Sequence, residues 1–157
     1  MEQVGKDRLV SSFHAAKNLN DQHGVIIVDA GTALTIDYID ENSIFCGGII
    51  TPGARAMFAS LAAATDALPD LSPMEIPTDE FEKSPLGNDT RSAILKGVYH
   101  SQIAVIKSMV DQLNPQSRVI LTGGGIQRLR PFLPQHWEYD PTLVLKGALD
   151  IGKSLLN

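Results

Sequence analysis

The sequence predicts an α/β domain of the ribonuclease-H type: a mixed sheet flanked by helices. Three β-rich segments follow one another with short turns between them, which makes an antiparallel meander, and the later strands are each reached through a helix. The size is also right. With 157 residues, 43% of them hydrophobic, the chain can bury an ordinary core without disulfides, so residues 1–157 read as one domain.

Lys6 to Leu19 places Leu9, Val10, Phe13, Ala16 and Leu19 at helical spacing, predicting a helix that ends near Asn20 to Gly24. Gly24 to Ala30 (GVIIVDA) is a continuous run rich in β-branched residues, Ala33 to Ile39 (ALTIDYI) alternates, and Ser43 to Thr51 (SIFCGGIIT) completes the meander. Gly31-Thr32 makes the first turn, and Asp40, Glu41 and Asn42 make the second. Pro52-Gly53 opens a helix, with proline in the first turn where no amide partner is lost. Met57, Leu61, Ala64 and Leu68 mark its buried side. Leu68 to Asn88 holds four of the nine prolines, which makes it a loop or lid.

A long helix runs from about Asp89 to Leu113, with Ile94, Val98, Val105, Met109 and Leu113 on its apolar face. The small residues Gly97, Ser101, Ala104 and Ser108 form a neighbouring stripe, open to core packing or to a subunit contact. Arg118 to Leu121 is a buried strand, Ile126 to Leu133 a short helix, Trp137 to Tyr139 a brief strand, and Thr142 to Leu155 the final helix.

Lys plus Arg number 13 against 18 Asp plus Glu, a net charge of −5, and no basic run stands out, which disfavours nucleic-acid wrapping and polybasic membrane binding. The single cysteine, Cys46, can form neither an internal bridge nor a multi-cysteine metal site. The N-terminal MEQVGKDR lacks the apolar stretch of a secretory signal, and no apolar run approaches the roughly 18 residues of a membrane span. The expectation is a cytoplasmic protein without nucleic-acid or membrane partners.

Three motifs can carry chemistry. At Asp29-Ala30-Gly31-Thr32, backbone amides near Gly31 and the Thr32 hydroxyl could receive a phosphate, with Asp29 holding a cation beside it; a plain hairpin turn is the alternative. Thr122-Gly123-Gly124-Gly125 lies between strand and helix, where consecutive glycines allow a phosphorylated or flat ligand to approach, or simply make the turn. Reading on from Gly123, Arg128 stands where a dinucleotide fingerprint needs its third glycine. At Gly5-Lys6-Asp7-Arg8, the aspartate could act as a general base on a hydroxyl while the guanidinium holds a substrate carboxylate by two prongs; a solvated helix start is the alternative. Asn88-Asp89-Thr90 suits N-capping of the long helix. The four histidines are scattered and lack metal-ligand spacing.

Taken in order, QVGKDR, VDAGTALTID, GGIITPG, LAAATDALPD, DTRSAILKG, LTGGG and LVLKG make the chain resemble the type III pantothenate kinases, a branch of the superfamily of acetate and sugar kinases, heat-shock chaperone ATPases and actin. The resemblance implies an actin-like ATPase fold and ATP-dependent phosphorylation of pantothenate to 4′-phosphopantothenate, toward coenzyme A, with K+ (or NH4+) and Mg2+. Asp7 then matches the general base. Gly5, Lys6, Arg8 and Thr90 match pantothenate-binding positions, Asp29 the potassium ligand, and Thr32, Gly31, Gly123 and Gly124 the ATP-binding turns. The family usually has a small residue at Lys6, so that contact would run through backbone. The resemblance covers the second half of a duplicated two-domain kinase that forms homodimers. A catalytically incomplete nucleotide-binding or regulatory accessory module is the alternative. Another kinase of the superfamily explains the glycine turns but not the VGKDR block.

Overall fold

The computed structural model describes residues 4–17, 19, 23–65, 67–71 and 84–156. The chain begins with α1 (Lys6–Lys17), followed by β1 (Val25–Ala30), β2 (Ala33–Ile39) and β3 (Phe45–Pro52). Then come α2 (Ala54–Ala64), α3 (Thr90–Leu113), β4 (Arg118–Thr122), α4 (Ile126–Leu129) with a 3-10 turn at Arg130–Phe132, β5 (Glu138–Tyr139) and α5 (Leu143–Ser154). The strands form one sheet in the order β3-β2-β1-β4-β5, antiparallel across β1, β2 and β3 and parallel from β1 to β4 to β5. This is the mixed, ribonuclease-H-like arrangement that the meander and crossovers predict.

The sheet's two faces follow from strand periodicity. Ile26, Val28, Leu34 and Ile36 point into the larger core, against Phe58 of α2 and Leu95, Tyr99, Ile103 and Ile106 of α3. Val25, Ile27, Ile39 and Ile120 point the other way, into a smaller core closed by Ala15 of α1 and Leu143 of α5. Phe58 and Tyr99 meet edge to face at 5.9 Å, tying α2 to α3 over the sheet.

Three details depart from the sequence reading. Pro52 is the last residue of β3 rather than part of a helix, because pairing with Ala33 extends this edge strand and an edge tolerates proline. Gly53 becomes the N-cap of α2, its N–H donating to Thr32 O at 3.0 Å. Phe58 is the buried residue of α2, while Met57 and Leu61 are half-buried and Ala64 is exposed. In α3, Ile94 and Val98 are buried as expected, but Leu95, Tyr99, Gln102, Ile103, Ile106 and Val110 are buried too, and Val105, Met109 and Leu113 lie at the margin. The helix is apolar on more than one face because it packs on both the sheet and α2.

Asp89 caps α3 as its sequence suggests. Its carboxylate accepts the Ser92 N–H at 2.9 Å and Ser92 Oγ accepts the Asp89 N–H at 3.3 Å. Residues 72–83 of the expected loop lie outside the described residues. On its far flank, the buried Lys96 donates to Ser84 O at 2.7 Å and Leu86 O at 3.1 Å, fixing the chain as it enters α3.

Candidate functional site

The parallel strands β1 and β4 lie side by side and end at one level, Asp29 opposite Thr122. Both therefore deliver their following turns to the same edge, the usual place for a ligand in a sheet of this kind. Gly31-Thr32 leads from β1 into β2, and Gly123 to Gly125 lead from β4 into α4. The turns are joined directly, since Gly125 N–H donates to Ala30 O at 2.7 Å. Gly123 has φ +88°, and a Cβ there would collide with Asp29 Oδ1 and stand 2.6 Å from Ala30 O, so glycine is required both by conformation and by space.

On the α3 side of these turns is a cavity of about 350 Å³, lined by Ala30, Gly31 and Thr32, by Gly53 to Arg55 at the start of α2, by Tyr99 and Gln102 of α3, and by Gly124, Gly125 and Arg128. Of the sequence-derived nucleotide residues, Gly31, Thr32 and Gly124 line it, and Gly123 holds the turn closed behind it. One detail is corrected: the Gly31 N–H is taken by Ala33 O at 2.9 Å, closing the hairpin, so it is not offered to a phosphate. That wall carries instead the Thr32 hydroxyl, the Arg55 side chain and the start of α2, which has no side-chain cap. Arg55, Tyr99 and Gln102 were not among the sequence candidates. Gln102 could have been flagged as a polar position between apolar ones on a core helix; its amide donates to Pro52 O at 3.3 Å.

Alternation along β1 turns Asp29 away from this cavity, onto the α1 face that carries Val25 and Ile27. Asp29 is half-buried, and its carboxyl is held above its ordinary pKa, first by burial and then by the negative charges of Asp7 and Asp37. Asp7, in the exposed first turn of α1, accepts the Arg8 backbone N–H at 2.9 Å. Asp37, in the middle of β2, is 1% exposed. Arg8 Nε stands 3.0 and 3.1 Å from its two oxygens and Arg8 Nη2 also donates to Oδ1, while the guanidinium lies 5.8 Å from the Phe45 ring centre. Here the sequence reading of Arg8 changes. The two prongs expected to hold a substrate carboxylate are occupied by Asp37, because a carboxylate buried this deeply must be paired. Gly5 and Lys6 are exposed at the start of α1, where Gly5 O accepts the Leu9 N–H at 3.2 Å.

Thr90 lies elsewhere. It lines a mostly apolar groove of about 570 Å³ between α2 and α3, with Met57, Leu61, Ile94 and Val98 and the small residues Gly97 and Ser101, and this groove shares no lining residue with the first cavity. Of the small-residue stripe, Gly97, Ala104 and Ser108 are exposed and Ser101 is half-buried. Among the described residues no group of three or more His, Cys, Asp or Glu could hold a metal ion, and no helix is long and apolar enough to cross a membrane.

A family model described as type III pantothenate kinase matches residues 1–112. The type III pantothenate kinase of Rhodopirellula baltica is 34% identical over 154 residues, an alignment covering 96% of this chain and 55% of that protein. That of Hyphomonas neptunium is 32% identical over 158 residues, covering 97% and 58%. Among solved structures, a Campylobacter jejuni protein assigned to the Baf family of transcriptional activators superposes with a TM-score of 0.68 at 27% identity, covering 99% of this chain and 67% of that one. The chain thus spans about half the length of the curated relatives it matches.

Proposed function

Because the chain belongs to the type III pantothenate kinase family, we propose that it serves the ATP-dependent phosphorylation of pantothenate to 4′-phosphopantothenate, in coenzyme A synthesis. The observation that carries this reading is the joined pair of glycine turns at the ends of β1 and β4, with a ligand-sized cavity on one face and the acids Asp29 and Asp7 on the other. The nucleotide occupies the cavity against Thr32, Gly31 and Gly124, and its terminal phosphate extends past the Asp29 turn toward α1.

There Asp7 is the general base. Its carboxylate accepts the proton of the primary hydroxyl as the alcohol oxygen bonds to the γ-phosphorus, and the bond from phosphorus to the β,γ-bridging oxygen breaks to release ADP. The exposure of Asp7 supports this role, since a substrate hydroxyl can reach it. Gly5 and Lys6 contribute backbone to the pantothenate turn. Arg8 positions that turn through Asp37, and its Nη1 is the group left for substrate.

Asp29 suits a monovalent cation, K+ or NH4+. A half-buried carboxylate beside two other acids is penalised when ionised, and a cation offsets that penalty while neutralising phosphate charge. The reading also implies Mg2+, which would come with the nucleotide and neutralise phosphate charge.

In this reading residues 1–157 correspond to the C-terminal half of a two-domain kinase of the cytoplasm, and the other half completes the phosphate clamp. Thr90 meets pantothenate in a homodimer, where the open groove between α2 and α3 and the exposed small residues of α3 support a subunit contact. The test is formation of 4′-phosphopantothenate from ATP and pantothenate with K+ present, by the chain alone and with the N-terminal half of a relative added. The likeness to the Campylobacter jejuni Baf-family protein favours one other reading, a nucleotide-binding accessory module, which predicts ATP binding without turnover in both mixtures. Its net charge of −5 directs such a role toward proteins rather than DNA.

A further inference from the structure

The cavity beside the glycine turns has an electrostatic character unlike the chain as a whole. The protein carries a net charge of −5, yet the cavity lining includes two arginines, Arg55 and Arg128, and no acid. The two arginines come from different walls, and each wall is fixed to the same turn. Arg55 is the second residue of α2, whose N-cap Gly53 donates to Thr32 O at 3.0 Å. Arg128 is in α4, whose N-cap Gly125 donates to Ala30 O at 2.7 Å. Hydrogen bonds to Ala30, at the end of β1, and to Thr32, in the turn that follows, therefore set the spacing between the bases of the two cationic side chains. The start of α2 has no side-chain cap, and its first residues, Gly53 to Arg55, line the same space.

We propose that Arg55 and Arg128 form a two-sided clamp on the polyphosphate of the nucleotide, a role that rests on the nucleotide reading of this cavity. A guanidinium presents a planar fork suited to phosphate oxygens, and one fork from each wall neutralises charge on two sides of a chain of phosphates. The adjoining acids favour such a clamp. Asp7 and Asp29 place negative charge on the far side of the same turn, and cationic side chains on the near side offset its repulsion of a polyphosphate. The clamp thus sets how strongly affinity rises with the number of phosphates, while contacts to the nucleoside are left to the remaining walls.

The test is calorimetric binding of ATP, ADP, AMP and adenosine, at fixed salt with Mg2+ and K+, to the full chain and to Arg55→Gln, Arg128→Gln and Lys107→Gln, with thermal unfolding of each variant to verify folding. Lys107 is exposed on α3 outside the cavity and controls for loss of a charge. The wild-type chain is expected to bind ATP more tightly than AMP. Arg55→Gln and Arg128→Gln should each weaken ATP binding about ten- to a hundredfold, the worth of a charge-assisted hydrogen bond, and leave adenosine within about twofold. Lys107→Gln should match wild type. Equal ATP affinity in wild type and both arginine variants overturns the clamp and leaves the nucleotide site standing. Absence of binding by wild type to all four ligands overturns the nucleotide reading itself, and the clamp with it. If a variant does not fold, Arg55→Lys and Arg128→Lys replace it, with a smaller loss of ATP affinity expected and an unchanged affinity counting against the clamp.

Discussion

Arg8, in the first turn of α1, and Asp37, in the middle of β2, form a two-oxygen ion pair in which the carboxylate is 1% exposed and the guanidinium side chain 13%. The pair couples the helix that bears Asp7 to the meander that bears Asp29. Gly48 of β3 leaves room for it, because a Cβ there would collide with Asp37 Oδ1 and stand 2.9 Å from Arg8 Nη2. Replacing Arg8 by Met should destabilise the fold by about 3–5 kcal/mol, since it leaves a buried carboxylate uncompensated. Adding Asp37→Asn to that variant should recover a large part of the loss. Urea unfolding of the two single variants and the double variant measures the coupling, and additive losses would contradict it.

The Gly123 turn gives a sharper contrast. Gly123→Ala places a side chain at φ +88° against Asp29 and Ala30, whereas a Cβ on Gly124 meets nothing within 4 Å. The first substitution should cost about 1–2 kcal/mol from backbone conformation alone, and more from the collision. The second should stay within about 0.5 kcal/mol. Chemical denaturation of both variants checks the difference, and ATP affinity should fall with Gly123→Ala.

Asp29 predicts a pH dependence of stability. Its folded-state pKa is raised, so the folded protein holds this proton at pH values where the unfolded chain has lost it. Its contribution to stability therefore falls as pH rises from the ordinary carboxylate value to the raised one. Asp29→Asn removes that loss and should be more stable than wild type above this window, with the gain vanishing below it. K+ should raise the melting temperature of the wild-type chain near neutral pH and leave that of Asp29→Asn unchanged. Thermal melts across pH, with K+ exchanged for a bulky organic cation, read both effects.

The features legible in the sequence were those with local causes. The meander from Val25 to Pro52 differs from its expected bounds by one or two residues, because alternation and glycine or polar turns fix it within short segments. The Thr122 to Gly125 turn was equally local. Asp37 is not legible in the sequence, since in ALTIDYI it occupies a position that alternation assigns to either solvent or a core, and only Arg8, 29 residues away, decides between them. Arg55, Tyr99 and Gln102 were missed for a related reason. Apolar residues on several faces of α3 leave the direction of Tyr99 and Gln102 undetermined, and nothing near Arg55 marks it as lining a cavity with Gly124 and Arg128. Thr90 follows a capping aspartate as expected, but its place in a separate groove depends on how α2 crosses α3.

Asp7 supports the most direct test. Asp7→Asn preserves the shape of the first turn of α1 while removing the proposed proton acceptor, so turnover should fall by about two to four orders of magnitude with ATP affinity largely retained. The decisive measurement is 4′-phosphopantothenate formed from ATP and pantothenate in K+, by wild type and Asp7→Asn, each alone and with the N-terminal half of a relative supplied. K+-dependent product from wild type, lost in Asp7→Asn while ATP still binds, is the predicted result. No product from wild type in either mixture, or equal product from Asp7→Asn, would contradict the account.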